Sequence, residues 1–296
     1  MVNNTSEYVN WLGSEHNNKN KYNLFQQKIN TDQVLAVNTA GAKENNEDSL
    51  KIVDLDQYGT LYMIADAHFG HSSSEIAVTK FPQILLNNLN SDSNDIQKTM
   101  YLSLINLDDY IRNNKPIDTN NQDKSVSETT FLVVLKKDNQ VNYMSIGDSY
   151  LYKGKKNKMD FVNHKNHERI QIGPTRYPPI FLGSSYHKIN ETALEYLNEL
   201  YKNKIDLSGL KNGENIPYDF IRQAIDIGSF KLKKKEELFL CSDGLEIVKG
   251  SNWKEIPINN IIQEIHNGLV HSLIKNYIHK KIKNAVKDNI SFIYIR

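Results

Sequence analysis

Six acidic residues lie beside apolar stretches of the chain, at positions where strands would begin or end. Asp66 follows the apolar run 61–65 and is followed closely by His68. Comparable positions are occupied by Glu47, Asp48, Asp148, Asp243 and Asp288. Each acid taken singly is more typical of a solvated turn. A sheet that brought all of them to one edge would need cations, because converging carboxylates repel one another.

All-oxygen sites of this kind suit hard ions such as Mg²⁺ or Mn²⁺. Two such ions about 3.5–4 Å apart can bind and activate a bridging water for attack on phosphorus. The acids and the neighbouring imidazole therefore predict metal-dependent phosphate-ester hydrolysis. A calcium-binding structural module would instead place its acids within one short loop, and here they are dispersed along the chain.

The composition is balanced in charge and typical of a soluble protein. The 296 residues include 36 basic and 35 acidic ones, so the formal net charge is +1 and neither nucleic acid nor an anionic membrane is an expected partner. No apolar run approaches the roughly 20 residues that span a bilayer, and the first residues lack the pattern of a signal peptide. The single cysteine, Cys241, is compatible with a reducing compartment. A cytoplasmic protein is expected.

Hydrophobic periodicity predicts one α+β domain at 31–296, preceded by a polar, poorly ordered lead-in at 1–30, which Trp11 or Phe25 could anchor against the domain. Residues 163–230 are interpreted as a flap or insertion with a helix at 191–202. Strands are predicted at 33–38, 49–55, 61–65, 128–137, 140–147, 149–154, 158–163, 234–244 and 288–296, and those from 128 to 163 are expected to form a meander. Helices are predicted at 72–90, 95–114 and 257–284, the last broken at Gly268. The basic run Lys231–Lys235 is more typical of a solvated turn than of a docking patch for an acidic partner.

Six short motifs occur in the order KENNED (43–48), DAHFGH (66–71), SETT (127–130), IGDS (146–149), LCSDGL (240–245) and DNIS (288–291). This series resembles the PPM/PP2C family of metal-dependent serine/threonine protein phosphatases, and its bacterial branch in particular. The resemblance implies a four-layer α/β/β/α sandwich, in which two central antiparallel sheets are flanked by helices. It also implies two Mn²⁺ or Mg²⁺ ions in a cleft at one end of that sandwich.

Carried over by position, the resemblance implies ligands for both ions. Asp66 would bridge the two metals, and the main-chain carbonyl of Ala67 would bind one of them. Asp243 and Asp288 would hold the other metal.

The remaining roles also follow from the resemblance. Glu47 and Asp48 would act through metal-bound waters and supporting hydrogen bonds. Asp148 matches the acid that is linked to a weaker third metal. His68 would be the general acid that protonates the leaving serine or threonine oxygen, a role that suits imidazole. Lys43 stands where the family usually has an arginine that grips the substrate phosphate, so the phosphate would meet a point charge instead of a bidentate fork.

Further departures from the family pattern are Ala67 and Phe69 at positions two and four of the DGHGG-like motif, Glu128 where a glycine is usual, and Ile247 where another acid is usual. A backbone ligand tolerates Ala67 if the local dihedral angles do not require glycine. Phe69 adds bulk beside the site, and Ile247 leaves the third metal in doubt.

The sequence thus predicts a metal-dependent phosphatase acting on phosphoserine and phosphothreonine in proteins, as a monomer, with a cognate kinase as a further partner. The alternative is a catalytically weak or inactive regulatory protein on the same scaffold. Lys43, Phe69 and Glu128 favour that alternative, and the retained acids and His68 oppose it.

Overall fold

The computed structural model describes residues 5–16, 21–41, 43–91, 95–116, 127–156, 158–163, 170–172, 175–177, 181–183, 225–249, 253–278 and 288–296. The strands in these ranges are β1 (Ser6–Trp11), β2 (Asn23–Ile29), β3 (Asp32–Thr39), β4 (Asp48–Asp54), β5 (Thr60–His68), β6 (Glu128–Thr129), β7 (Phe131–Lys137), β8 (Gln140–Ile146), β9 (Tyr150–Lys155), β10 (Lys158–Phe161), β11 (Ile170–Ile172), β12 (Thr175–Tyr177), β13 (Asp226–Lys231), β14 (Glu237–Cys241), β15 (Ile247–Lys249), β16 (Trp253–Glu255) and β17 (Ile290–Ile295). The helices are α1 (Ser72–Ser91), α2 (Ile96–Asn114), α3 (Ile258–His266) and α4 (Val270–Ile278).

Two antiparallel sheets form the centre of the molecule. The first has the strand order β1-β4-β5-β7-β8-β13, with the short strand β6 paired to the end of β5. The second has the order β10-β9-β14-β17-β3-β2. The pairs β11–β12 and β15–β16 form two small hairpins.

Apolar side chains on the two faces of the strands form three apolar layers. In β5, Leu61, Met63 and Ala65 pack with α1 and α2, whereas Tyr62 and Ile64 pack in the layer between the two sheets. Successive side chains of a strand point to opposite faces, so one strand serves both layers. The second sheet packs its outer face on α3 and α4. These layers form the α/β/β/α sandwich that was predicted.

Several local predictions are corrected. Strands β1 and β2 lie within the predicted lead-in, where they pair with β4 and β3 as edge strands of the two sheets. Strands β9 and β10 belong to the second sheet, so the run from 128 to 163 is not one continuous meander. Strand β13 begins inside the predicted flap, and most of 163–230, including the helix expected at 191–202, lies outside the described residues. The predicted break at Gly268 is confirmed, since its φ is +73° between α3 and α4.

None of the helices within the described ranges is long and apolar enough to cross a membrane.

Candidate metal centre

The six acids lie at one end of the sandwich, here called the acidic end (Glu47, Asp48, Asp66, Asp148, Asp243 and Asp288). Asp48 opens β4 and is the register partner of Asp66 near the end of β5. Asp148 follows β8 and Asp243 follows β14, whereas Asp288 precedes β17. Because neighbouring strands run antiparallel, the start of one lies beside the end of the next. The acids therefore meet although they are far apart in sequence.

Asp66 is the centre of this group. The residue is 4% exposed, and its pKa is held well above the ordinary value by burial and by the charges of Asp48, Asp243, Asp288 and Asp148. These four neighbours come from both sheets, so the raised pKa of Asp66 reflects the convergence of acids from both sheets. A buried carboxylate in such surroundings is stabilised by a cation or by a proton.

Asp48 is fully buried and incompletely hydrogen-bonded. The hydroxyl of Ser242 donates to its Oδ2 at 2.9 Å, and within the described residues no hydrogen-bond partner reaches its Oδ1. Burial and the charge of Asp288 raise the pKa of Asp48 to about 7, against the opposing effects of hydrogen bonds from Ser291 and Ser242 and of the Lys43 charge. The site therefore contains a buried acceptor oxygen that a cation would satisfy.

Lys43 reaches into the acid cluster. Its Nζ lies 2.5 Å from Asp288 Oδ1 and 3.4 Å from Glu47 Oε2. Burial lowers the pKa of Lys43, but the hydrogen bond and charge of Asp288 outweigh burial and leave the pKa raised. The ammonium is therefore held by carboxylates that the sequence analysis assigned to metal binding.

Glu47 connects the two loops that carry the first two motifs. Its Oε1 accepts a hydrogen bond of 2.6 Å from the main-chain N–H of Gly70, and its carbonyl accepts one from Ser74 Oγ at the start of α1. These bonds add to the pairing of Asp48 with Asp66 in holding the KENNED loop beside the DAHFGH loop.

His68 lies half-buried at the end of β5, next to Asp66. Its ring packs against Phe181 with a centroid distance of 4.8 Å, and its buried Nδ1 has no hydrogen-bond partner among the described residues. The packing orients the ring, while its Nδ1 is left for a further partner.

The departures in this loop have different consequences. The φ of Ala67 is not positive, so its backbone conformation does not require glycine. Phe69 has a φ of +61° and is 67% exposed, so a bulky residue occupies a left-handed conformation that glycine would adopt without strain. Glu128 lies buried in β6 opposite His68, so the side chain that replaces the usual glycine is accommodated in a strand.

Asn289 is a structural residue of the site that the sequence analysis did not single out. Its Nδ2 donates to the carbonyls of Ala40 and Asn45, and its Oδ1 accepts from the N–H of Glu47. A Cβ on Gly244 would lie 1.7 Å from the Asn289 carbonyl, so only glycine fits there. The signal for this role was present in the sequence, because Asn289 and Gly244 belong to the motifs DNIS and LCSDGL.

The surroundings of Asp148 bear on the third metal. Asp148 is buried at the acidic end, but Glu246, next to the unusual Ile247, accepts a hydrogen bond from the Tyr150 hydroxyl. One carboxylate oxygen of Glu246 therefore interacts with a tyrosine, and the role of Asp148 toward a third metal stays a prediction.

The donor chemistry of the acidic end fits Mg²⁺ or Mn²⁺, since its side chains are carboxylates and include the buried Asp48 Oδ1, which has no hydrogen-bond partner among the described residues. In the ranges that the structure covers, no three of the His, Cys, Asp and Glu side chains already form a compact ligand cluster. Lys43 supplies the positive charge that is present among these acids.

Comparison with known proteins gives structural neighbours. No protein-family model matches the chain, and no curated protein matches it. The S. agalactiae serine/threonine phosphatase superposes with a TM-score of 0.54 at 17% identity, covering 89% of this chain and 98% of that chain. The catalytic domain of the serine/threonine phosphatase PstP, solved with two manganese ions, gives a TM-score of 0.51 at 15% identity. The match covers 89% of this chain and 97% of that chain.

A C. elegans sex determining protein gives a TM-score of 0.53 at 13% identity, covering 88% of this chain but 64% of that chain. The chain therefore spans less than two thirds of that protein. At such identities the likeness concerns the fold. The fold of this chain is that of the PP2C-type serine/threonine phosphatases, as its sequence motifs predicted.

Proposed function

We propose that this chain is a divalent-metal-dependent phosphatase that hydrolyses phosphoserine and phosphothreonine in proteins. The observation that carries the proposal is the buried carboxylate of Asp66, which faces four further acids from both sheets. Such a concentration of negative charge is costly without cations, and it occurs on a fold that serine/threonine phosphatases share.

Asp66, Asp243, Asp288 and the main-chain carbonyl of Ala67 would hold two Mn²⁺ or Mg²⁺ ions. Such ions, when bound, activate water for attack on phosphorus and offset the negative charge that develops there. Glu47 would help to position the ions through its hydrogen bond to the DAHFGH loop.

Three further residues have proposed parts in the site. Asp48 would support the ligands through Ser242, and Asp148 would serve a weaker third ion. His68 would give a proton to the departing serine or threonine oxygen, for which its fixed ring is suited. The expected cognate kinase, the monomeric state and the cytoplasmic location stay predictions.

The test is hydrolysis of a phosphothreonine peptide and of a generic aryl phosphate, each with Mn²⁺, with Mg²⁺ and with a chelator. We expect turnover with the ions, none with the chelator, and none in Asp243→Asn. Asp160→Asn is the matched control, because it makes the same change at an exposed position on the edge strand β10. Full activity in Asp243→Asn would remove the two-metal mechanism.

A second function, binding without turnover, is favoured by the close contact between Lys43 and Asp288. It predicts that calorimetry detects metal binding while neither phosphate compound is hydrolysed.

Lys43→Arg probes the role of Lys43 within the proposed phosphatase. An arginine can bind phosphate through two parallel hydrogen bonds, so the KM for the phosphopeptide should fall in this variant. Unchanged kinetics would count against Lys43 as the residue that meets the phosphate.

A further inference from the structure

The end of the sandwich opposite the acids carries an open cleft of about 1030 Å³. Its walls come from the turns β2–β3, β7–β8 and β13–β14 and from the ends of β9 and β17. Strand β17 begins just after Asp288 and ends just before Arg296, so the cleft lies about 20 Å from the acidic end. The cleft is therefore a separate site.

The lining of the cleft is strongly cationic. Its exposed cationic side chains are Lys155, Lys156, Lys233, Lys234, Lys235 and Arg296. Within the part of the chain that the structure describes, no ion pair involves any of these six. The whole chain has a formal charge of only +1, so this cleft concentrates positive charge that acids balance elsewhere.

The acids that line the cleft are already bound by other groups. Asp32 receives two hydrogen bonds from Lys136 Nζ, at 2.9 and 2.7 Å. Glu237 lies 3.0 Å from His266, and Glu236 accepts a hydrogen bond from the N–H of Lys233. Of these acids, Asp32 is paired with a lysine, whereas the bond to Glu236 comes from a neutral main-chain N–H. The six exposed cations outnumber the carboxylates of Glu236 and Glu237, so the cleft keeps a net positive charge.

We propose that this cleft binds an acidic polypeptide segment of a protein partner. Lysine presents a flexible point charge that does not require one ligand geometry, which suits carboxylates on an extended chain. The cleft is open, and its charges come from several separate segments, whereas small-molecule sites are mostly apolar and enclose their ligand.

Two other polyanions fit the cleft less well. Single-stranded nucleic acid is bound with aromatic side chains on which bases stack, and the described lining contains no Phe, Tyr or Trp. A membrane surface is bound by apolar residues that insert beside the cations, whereas the apolar lining residues Leu232 and Ile295 are buried in the core.

The test measures fluorescence anisotropy of a labelled peptide of alternating Glu and Gly, with a Gln and Gly peptide for comparison. A chelator is present throughout, so that metal ions cannot bridge the peptide to the acidic end. We expect the acidic peptide to bind with an affinity that falls as salt rises, and the neutral peptide not to bind. Because this peptide carries no phosphate, its binding is independent of phosphatase activity.

The double variant Lys234→Gln/Lys235→Gly should weaken binding about five- to tenfold, as expected for the loss of two exposed ion pairs. Lys235 has a φ of +67°, so glycine there preserves the turn. Lys155→Gln/Lys156→Gln, on a different strand, should weaken binding to a similar extent. The matched control, Lys98→Gln/Lys275→Gln, removes two exposed charges from α2 and α4 and should change the affinity less than about twofold.

Three outcomes would overturn the proposal. The first is no binding of the acidic peptide by the unmodified protein. The second is an equal loss of affinity in the control variant, which would indicate a general charge effect. The third is tighter binding of an oligothymidylate or of anionic vesicles than of a peptide with equal charge. Circular dichroism of each variant establishes that it is folded.

Discussion

The acidic end and the opposite end that carries the cationic cleft, here called the basic end, both concentrate charged residues, but they differ in how their buried charges are paired. At the basic end, Lys136 binds Asp32 through both carboxylate oxygens and also reaches the Asp138 carbonyl. At the acidic end, Asp48 and Asp66 are buried among further acids and their pKa values are raised. A buried group with a satisfied partner contributes to the fold, whereas a buried group without one is stabilised by a ligand or a proton. The difference favours the acidic end as the place where a cation would stabilise the protein.

The largest expected effect of this difference is on turnover. Asp66→Asn removes the carboxylate that is proposed to bridge both ions, so metal-dependent hydrolysis should fall by more than the ~10–100-fold typical of a supporting hydrogen-bond partner. The measurement is kcat/KM on the phosphothreonine peptide. Asp138→Asn makes the same change in a turn at the basic end, where asparagine tolerates the φ of +52°, and it should leave kcat/KM unchanged. Equal losses of kcat/KM in both variants would contradict the proposed difference between the acidic end and the basic end.

The next effect is on stability. Lys136→Met leaves the Asp32 carboxylate without its cation in partly buried surroundings, so the free energy of unfolding should fall by about 3 kcal/mol. Urea denaturation measures the change, and the double variant Lys136→Met/Asp32→Asn should recover part of the loss. Asp66→Asn, measured with a chelator, should instead raise the free energy of unfolding. If both Lys136→Met and Asp66→Asn changed the free energy of unfolding in the same direction, the two ends would not differ in the pairing of their buried charges.

The acidic end should also make the stability of the metal-free protein depend on pH. In metal-free protein, the pKa of Asp48 is raised from 3.8 to about 7 by burial and by Asp288. The folded state then binds more protons than the unfolded state between these values, so this contribution to stability is full below about pH 4 and is lost as the pH rises through about 7. Thermal denaturation in a chelator should show the decline, and Mn²⁺ should reverse it. Asp48→Asn should flatten the profile, and an unchanged slope in that variant would assign the decline to other groups.

The smallest effect concerns backbone strain, which both ends contain. Phe69 and Lys235 each have a left-handed φ, at +61° and +67°. Glycine at either position should raise the free energy of unfolding by about 0.5–1 kcal/mol, the balance of relieved strain and the entropy of glycine. Phe69→Ala is the control, because alanine keeps the strain and should give no gain. A gain with alanine equal to that with glycine would mean that removal of the exposed ring, and not the backbone, is responsible.

Much of the fold could be predicted from local pattern. Alternation along β5 and β7 and the helical periods of α1 and α2 each depend on neighbouring residues, and the break at Gly268 follows from its backbone freedom. The edge strands β1 and β2 could not be predicted in this way. Their polar and apolar residues follow no clear period, and they are strands because each pairs with the edge of a sheet.

In the candidate site, too, some features could be predicted from the sequence and others could not. The acids could be identified by their positions beside apolar runs and by their motifs. The contact between Lys43 and Asp288 and the three hydrogen bonds of Asn289 could not, because they join segments from opposite ends of the chain. The basic run Lys231–Lys235 was interpreted as a solvated turn, since its sequence does not reveal that the lysines of β9 and Arg296 lie beside it.

By itself, the sequence determined which residue types stand at the strand ends, because apolar runs and the acids beside them are properties of short segments. Only the tertiary structure decided which of those ends meet. Antiparallel pairing of distant strands brings the acids to one end and the lysines to the other. Once like charges are crowded at a low-dielectric end, their pKa values and their need for a counter-ion depend on the whole arrangement and not on any one residue.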